Sequence, residues 1–475
     1  MARSTSKRAQ LAIVLAVVAL GVIVSARLAG ERAWRRALRE AGFAGELAPP
    51  GPGSRVLIVA PHPDDEALGC GGLIQQARAN GATVSVALMT NGDASEWATL
   101  LGERQLRLSS DAFLRLGRER QQESLTALEF LGVAAGDVYF LGFPNGGLVP
   151  MWRPEHWGYE DTYRSEHTGA AAVPYELAFI PEAPYCGREV VSSFIQLLEH
   201  LEPDMVFVTH PRDVHPDHWA TYTFTRYALA TIAVRGNDWA RKAKVYGYLV
   251  HYPRYPVPKG KSRGLEMRPP VELAGPASRW LTLPLQPEQA RRKEDAVRRY
   301  RSQEPRFDRL LRSLVRANET FEELPILQVG PDQEIAWHSP DRRAKLKGVE
   351  VEEVVLSKLG GPDAHVRVSC APQPQPPGAY VCFDVRSWDD NRAPVIVTVY
   401  LSPVGTSIRA IRPGPADKGP PVQVLGPLDG LYEIRGNMLA PGNPAPRDIF
   451  VSCWGSIRDQ ITDPAAISWV TVENR

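Results

Sequence analysis

Five short runs of apolar, largely β-branched residues are separated by longer stretches whose apolar residues recur at helical spacing. The runs are Arg55 to Ala60, Thr83 to Met89, Val138 to Leu141, Met205 to Thr209 and Val245 to Val250; the stretches lie around Glu66 to Ala79, Arg118 to Leu131, Arg188 to His200 and Asp217 to Ala230. Strands that are apolar throughout, rather than on alternate residues, are buried on both faces, and helices placed between them join parallel neighbours. The expected fold class is therefore α/β, a Rossmann-like three-layer sandwich with a mostly parallel sheet. A long polar helix is expected to follow from about Pro287 to Asn318, with Ala296, Tyr300, Leu310, Leu314 and Val315 as its buried stripe.

Beyond Pro325 the texture changes to short alternating runs punctuated by proline and glycine: Val366 to Cys370, Tyr380 to Val385, Val395 to Leu401, Tyr432 to Arg435 and Ile467 to Val472. That is the pattern of an all-β sandwich. A chain of 475 residues, 44% of them hydrophobic, is also too long for one ordinary domain. The expected division is an N-terminal signal anchor or signal peptide over 1–30, a linker over 31–53, an α/β domain over 54–325 and a β-sandwich over 345–475. The proline and glycine run Pro49-Pro50-Gly51-Pro52-Gly53 ends the linker, because it can hold neither a helix nor a central strand.

Arg3, Lys7 and Arg8 precede an apolar run from Leu11 to Ala26, the charge-then-hydrophobe order of an export signal. The run is 16 residues long, against the about 20 that a relaxed membrane span needs. Val24-Ser25-Ala26 resembles a peptidase site, whereas Arg27, Arg32, Arg35, Arg36 and Arg39 disfavour translocation of the chain on their C-terminal side. An uncleaved anchor, a cleaved signal and a cytoplasm-facing anchor all stay open. The expectation is a membrane-anchored or exported chain with an extracytoplasmic catalytic domain. Lys and Arg number 55 against 54 Asp and Glu, a net charge of +1, so no global basic field points to nucleic acid. Five cysteines, Cys70, Cys186, Cys370, Cys382 and Cys453, show no zinc-knuckle spacing; one disulfide among the last three is expected if that part lies outside the cytoplasm.

The first strand runs straight into Pro61-His62-Pro63-Asp64-Asp65-Glu66, and the fourth into His210-Pro211-Arg212-Asp213-Val214-His215-Pro216-Asp217-His218. In an open α/β sheet the carboxyl ends of strands are where ligands bind, and acids there also sit at the start of the next helix. Two such loops can face one cleft and supply imidazoles and carboxylates for a divalent ion.

These motifs resemble the LmbE-like, or PIG-L, N-acetylglucosaminyl deacetylases, which include the phosphatidylinositol-glycan de-N-acetylases and the mycothiol and bacillithiol pathway deacetylases. The likeness extends over about residues 54 to 320 and includes Thr90-Asn91-Gly92-Asp93, an Arg-x-x-Glu helix within Arg118 to Gly132, Leu141-Gly142-Phe143-Pro144-Asn145-Gly146-Gly147, and Ser302-Gln303. The resemblance implies that His62, Asp65 and His218 bind a metal, that Asp64 is the general base on its water, and that a cationic His215 faces the oxyanion. Zinc is the implied ion, with ferrous iron or another divalent metal as the alternative. Asn145 stands where the family carries an acid, which puts any charge-dependent substrate contact there in doubt.

Other residues are weaker candidates for supporting or substrate-contacting roles: Glu66, Asn91, Asp93, Asn145, His210 and Asp213. Glu66 either steadies the helix start or binds the ion; His210 either lines the cleft or is structural; Asp213 either orients an imidazole or caps its loop. Trp97, Trp152, Trp157 and Tyr159 are either sugar-stacking residues or buried loop anchors. The implied function is metal-dependent removal of the N-acetyl group from an N-acetylglucosamine-type sugar or glycoconjugate. Two rival readings are an amidase for a different acylated small molecule and a carbohydrate-binding protein with an accessory catalytic domain.

Overall fold

The computed structural model describes residues 43–94, 109–274, 278–303, 311–330, 332–338, 351–358, 365–370, 378–389, 391–402, 405–411, 423–428, 431–435, 448–457 and 460–472. The first part of the chain alternates as expected. Its elements are β1 (Gly45–Glu46), β2 (Arg55–Ala60), α1 (Asp65–Ala79), β3 (Thr83–Thr90), α2 (Ser110–Leu131), β4 (Val138–Phe143), α3 (Gly187–Leu201), β5 (Met205–Thr209), α4 (Pro216–Val234), β6 (Lys244–Tyr248), β7 (Trp280–Pro284), α5 (Pro287–Val297) and β8 (Asn318–Glu323). The strands form one eight-stranded sheet in the order β1-β7-β8-β6-β5-β2-β3-β4.

Strands β4, β3, β2, β5 and β6 are parallel neighbours. Strand order reverses between β2 and β5, and the crevice at such a switch point opens beyond the carboxyl ends of both strands. That position brings the loop after Ala60 and the loop after Thr209 side by side. Alternate residues of β2 serve opposite layers: Leu57 and Val59 join the core under α3 and α4, while Val56 and Ile58 join the core with α1 and α5. This two-sided burial is why the strand is apolar throughout.

The expected helix over Pro287 to Asn318 is shorter in the structure: α5 ends at Val297, and Asn318 begins β8, antiparallel to β7 and β6. At the far end of that span the Asn318 side chain accepts from Met267 N–H (2.6 Å) and donates to the Met267 carbonyl (2.8 Å), anchoring the start of a strand rather than a helix turn. The sheet consequently gains one antiparallel strand, β8, on its β6 side, with β7 and β1 beyond it running in the direction of β6.

The second part is a two-sheet β structure. It comprises β9 (Leu327–Val329), β10 (Ile335–His338), β11 (Val351–Ser357), β12 (His365–Cys370), β13 (Ala379–Trp388), β14 (Pro394–Ser402), β15 (Gly405–Ile411), β16 (Gln423–Leu428), β17 (Leu431–Arg435), β18 (Asp448–Ile457) and β19 (Gln460–Val472). Five strands order as β10-β11-β12-β17-β16 and six as β15-β14-β13-β18-β19-β9. Val381, Phe383, Val385, Ile449, Val451 and Cys453 face the interior between the sheets. The opposite face of the same strands, with Cys382, Trp388, Phe450 and Trp454, packs on the α/β unit.

Helix α4 lies between the two halves. Every residue from Asp217 to Ala233 is buried, so the helix is covered on every side, and its threonines Thr223, Thr225 and Thr231 are accommodated by bonding back to carbonyls of the preceding turn. Trp219 meets Trp454 with ring centroids 4.9 Å apart, and Tyr227 stacks on Trp388 at 5.5 Å. The buried Arg386 places its guanidinium 3.3 Å from the Trp152 ring centre and donates to the Trp152 carbonyl (2.6 Å) and to Asp384 Oδ2 (2.8 Å).

All five cysteines are buried free thiols, so the expected disulfide is absent. Phe383 pairs with Cys453 across β13 and β18, which sends the neighbouring Cys382 to the opposite face; Cys370 and Cys453 reach the sandwich interior from different sheets. The apolar segment Leu11 to Ala26 and Trp97 lie outside the described residues. Among those described, no helix is long and apolar enough to cross a membrane.

Candidate active site

Strand β2 ends at Ala60, and Pro61 and Pro63 forbid its continuation as a ladder. The chain then turns through Asp64, which adopts φ 116°, into α1. A non-glycine residue in that region holds only when its surroundings over-determine it. Here Arg120 of α2 does so by donating to the Pro63 carbonyl (2.5 Å) and to the Gly92 carbonyl (2.9 Å). Gly92 has φ +64°, and a Cβ there would lie 1.9 Å from Arg120 Nη1, so glycine is required for the guanidinium to pass. Glu66 adds a second clamp: its carboxylate accepts from Asp64 N–H (2.9 Å), Ser124 Oγ (3.0 Å) and the Tyr300 hydroxyl (2.6 Å).

The two loops meet at Asp65. Its Oδ2 lies 3.1 Å from His62 Nδ1 and 3.1 Å from His218 Nε2. The remaining nitrogens are faced by carboxylates, His62 Nε2 by Asp217 Oδ2 (3.2 Å) and His218 Nδ1 by Asp213 Oδ2 (3.2 Å). Asp213 Oδ2 also accepts from the N–H groups of Val250 (3.0 Å) and His251 (2.9 Å). Ligand-type atoms of His62, His215 and His218 lie within 4.8 Å of one another, as do those of Asp65, His218 and His251.

Burial opposes ionisation of Asp65, yet His218 and His62 hold its carboxyl well below the usual range. The same pairing outweighs burial for His218 and raises its imidazole, through Asp65 and Asp213. Asp64 moves the other way: burial and the Asp65 charge push its carboxyl well up, with Arg120 3.7 Å away as partial compensation. Burial pushes Glu66 up to about 7. His215 is driven well down by burial and by the His62 and His218 imidazoles. Its Nδ1 accepts from Asp217 N–H at 3.2 Å, so the neutral ring carries its proton on Nε2. With Nδ1 accepting, Nε2 is the nitrogen left to donate.

The family model described as GlcNAc-PI de-N-acetylase, PIG-L, matches residues 57–229, the span that holds both loops. Residues 57–229 form a PIG-L domain. The 1D-myo-inositol 2-acetamido-2-deoxy-alpha-D-glucopyranoside deacetylase of Nocardia farcinica is 32% identical over 185 residues, covering 38% of this chain and 54% of that protein. The enzyme of the same description from Mycobacteroides abscessus is 31% identical over 194 residues, covering 40% of this chain and 59% of that protein. The chain thus spans about half the length of the curated relatives it matches. Among solved structures, an N,N'-diacetylchitobiose deacetylase from Pyrococcus horikoshii is 21% identical, covers 62% of this chain and 92% of its own, and gives a TM-score of 0.38. A likeness at that level decides nothing about activity.

Within the PIG-L domain the structure brings His62, Asp64, Asp65, Asp213, His215 and His218 into one cluster, with Glu66 behind Asp64. Asn91 is buried near the Arg120 clamp, and neither atom of its carboxamide has a hydrogen-bond partner among the described residues. Asp93 accepts from the Tyr175 hydroxyl (2.6 Å) and from Asn145 N–H (3.2 Å), so it shapes the loop carrying Asn145. His210 is not in the cleft. It pairs with Glu322, accepts from Arg212 N–H, and stacks on Trp280 at 5.4 Å.

Two residues were missed. His251 follows the apolar end of β6, the same strand-then-histidine signal as in the other two loops, but it stands alone there without an acid. Asp217 lies inside the quoted motif and had no role; its Oδ2 also accepts from Gly146 N–H (2.7 Å), while its buried Oδ1 has no partner among the described residues. Of the candidate stacking aromatics, Trp152 and Trp157 are buried anchors, and Tyr159 is exposed and donates to Glu189 (2.9 Å). The cleft beside His215 has a volume of about 770 Å³ and is lined instead by Tyr163, Tyr380 and Tyr400, with Asn145 and Arg153.

Proposed function

We propose that this chain is a metal-dependent hydrolase that removes the N-acetyl group from an N-acetylglucosamine-type sugar or glycoconjugate. One observation carries the reading: donor atoms from the segments that follow β2 and β5 converge on Asp65, and His215 of the same cluster lines an open cleft. The donor set fits a divalent cation. Two imidazoles and a carboxylate leave room for water, the His218 nitrogens are buried without a satisfactory hydrogen bond, and Asp213 backs His218 as metal-binding histidines require.

His62, Asp65 and His218 would hold the ion, which supplies Lewis acidity toward water and toward an amide carbonyl. Asp64, buried at its edge with a raised proton affinity, accepts the proton of the attacking water and passes it to the leaving amine. Its position depends on Arg120 and Glu66 rather than on its own rotamer preference. His215 donates from Nε2 to the carbonyl oxygen as negative charge gathers there, with Asp217 N–H fixing the tautomer.

Zinc is proposed over ferrous iron because hydrolysis needs no redox change. The apolar segment Leu11 to Ala26 is proposed to place the domain outside the cytoplasm, which fractionation with protease protection would test. For the activity, zinc-loaded protein is assayed for acetate on a panel of N-acetylglucosamine conjugates and simple acyl amides. Release from sugars that disappears in His218→Ala is the expected result; release only from non-sugar amides favours the amidase reading, and inactivity on every member removes both.

A further inference from the structure

The cleft that begins at His215 does not end within the PIG-L domain. Asn145, Tyr163 and His215 form its inner part, while Tyr380, Tyr400 and Ser407 come from β13, β14 and β15 of the sandwich and form the far wall. A volume of about 770 Å³ lies well inside the roughly 300–1,000 Å³ range of ligand sites.

That wall is held in place from the PIG-L side. The Tyr400 hydroxyl donates to Glu155 Oε2 (2.9 Å), the Arg153 guanidinium sits 5.7 Å from the Tyr380 ring centre, and the two tyrosine rings meet edge to face at 5.6 Å. The sandwich also packs on the helix that carries His218, through Arg386 over Tyr227 and Trp454 against Trp219. Half-buried tyrosines offer an apolar face together with a polar edge, and they are flanked by charges of both signs, Arg153 and Glu155. A sugar ring matches this chemistry: its C–H face lies on an aromatic surface while its hydroxyls pair with mixed donors and acceptors.

We propose that the β-sandwich completes the substrate cleft, with Tyr380 and Tyr400 receiving a second sugar ring linked to the N-acetylated one. The substrate is then an oligosaccharide or a glycan-bearing conjugate rather than a free monosaccharide. This inference rests on the de-N-acetylase reading above, and its test separates the two.

Full-length zinc-loaded protein is assayed for acetate release from N-acetylglucosamine and from its β-linked dimer and tetramer. The expected result is a kcat/KM that rises with length, and a tetramer-to-monomer ratio that falls roughly tenfold in Tyr380→Ala combined with Tyr400→Ala, mainly through KM. Should that pair disturb folding, as a melting curve would reveal, Ser407→Trp narrows the same wall from an exposed position and is expected to lower the same ratio. Equal kcat/KM for monomer and tetramer, or a ratio unmoved in the folded variants, overturns the second subsite and leaves the de-N-acetylase reading standing. If no sugar is deacetylated, that reading fails instead. Calorimetric titration with the glucosamine tetramer then decides the subsite: binding weakened by the wall variants supports it, and absence of binding overturns it.

Discussion

Asp213 Oδ2 stands 3.2 Å from His218 Nδ1 while the same oxygen receives two backbone N–H groups from the segment after β6. One carboxylate thus aims an imidazole from the first turn of α4 and ties it to the segment after β6. Burial opposes its ionisation, but His218 and these donors keep it well below the ordinary carboxylate range. Asp213→Asn should weaken metal binding by about 10–100-fold, the usual effect of losing such a partner. Competition with a chromophoric chelator would measure it; unchanged affinity would show that His218 needs no orienting carboxylate.

Gly92 and Arg120 make a second prediction. Gly92→Ala puts a methyl where the guanidinium passes, at a φ of +64° that alanine resists. The backbone alone should cost about 1 kcal/mol or more. Activity should fall further than stability, because displaced Arg120 releases the Pro63 carbonyl and with it Asp64. Denaturant midpoints compared with kcat would tell; parallel losses would mean that Arg120 does no more than hold the fold.

The junction between the halves is pH-sensitive. Arg241 donates to both oxygens of Asp448 (3.0 and 2.8 Å), and Trp469 and Thr471 add two more bonds. Burial raises the Asp448 carboxyl, but these bonds outweigh it and leave the net shift downward. A lowered folded-state value stabilises above the unfolded carboxyl's value of about 3.9 and is lost as pH falls through the lowered one. The melting-temperature gap between wild type and Asp448→Asn should hold from neutrality to about pH 5 and close only below about 4. A gap already closing between neutrality and that range would assign it to other groups.

Trp219→Ala should cost about 3–5 kcal/mol, the range for deleting a buried tryptophan. Its ring fills the space between α4 and Trp454, so the loss should appear as one cooperative transition of the whole chain. Two separate transitions in a calorimetric scan would show that the halves melt independently.

How much of this was legible in the sequence depends on the range of the forces involved. Strands β2 and β5 announced themselves because burial on two faces leaves only apolar residues between Val56 and Ala60 and between Met205 and Val208, and the motifs at their ends gave the converging loops. His251 was hidden because its meaning comes from lying beside His218, 33 positions earlier in number, not from its neighbours. Asn318 was placed at the end of the expected helix, whereas its bonds to Met267 belong to the start of a strand. His210 was ambiguous since its partners, Glu322 and Trp280, arrive from β8 and β7. The tyrosines of the far wall were not readable at all, because nothing local in β13 or β14 says which neighbour its outer face will meet. One clue was present and unused: α4 carries large aromatic and aliphatic residues, Trp219, Phe224, Tyr227 and Leu229, around most of its circumference, which calls for cover on both sides.

That helix has a consequence during synthesis. One side of α4 can dock on β2 and β5 soon after it leaves the ribosome, but Phe450, Trp454 and Trp469 belong to strands that begin about two hundred residues later. At about 5–20 residues per second the nascent chain carries an oily, unshielded ridge for roughly ten seconds or more. Over that interval the growing polypeptide is open to wrong partners, and relief comes only when β18 and β19 have been made.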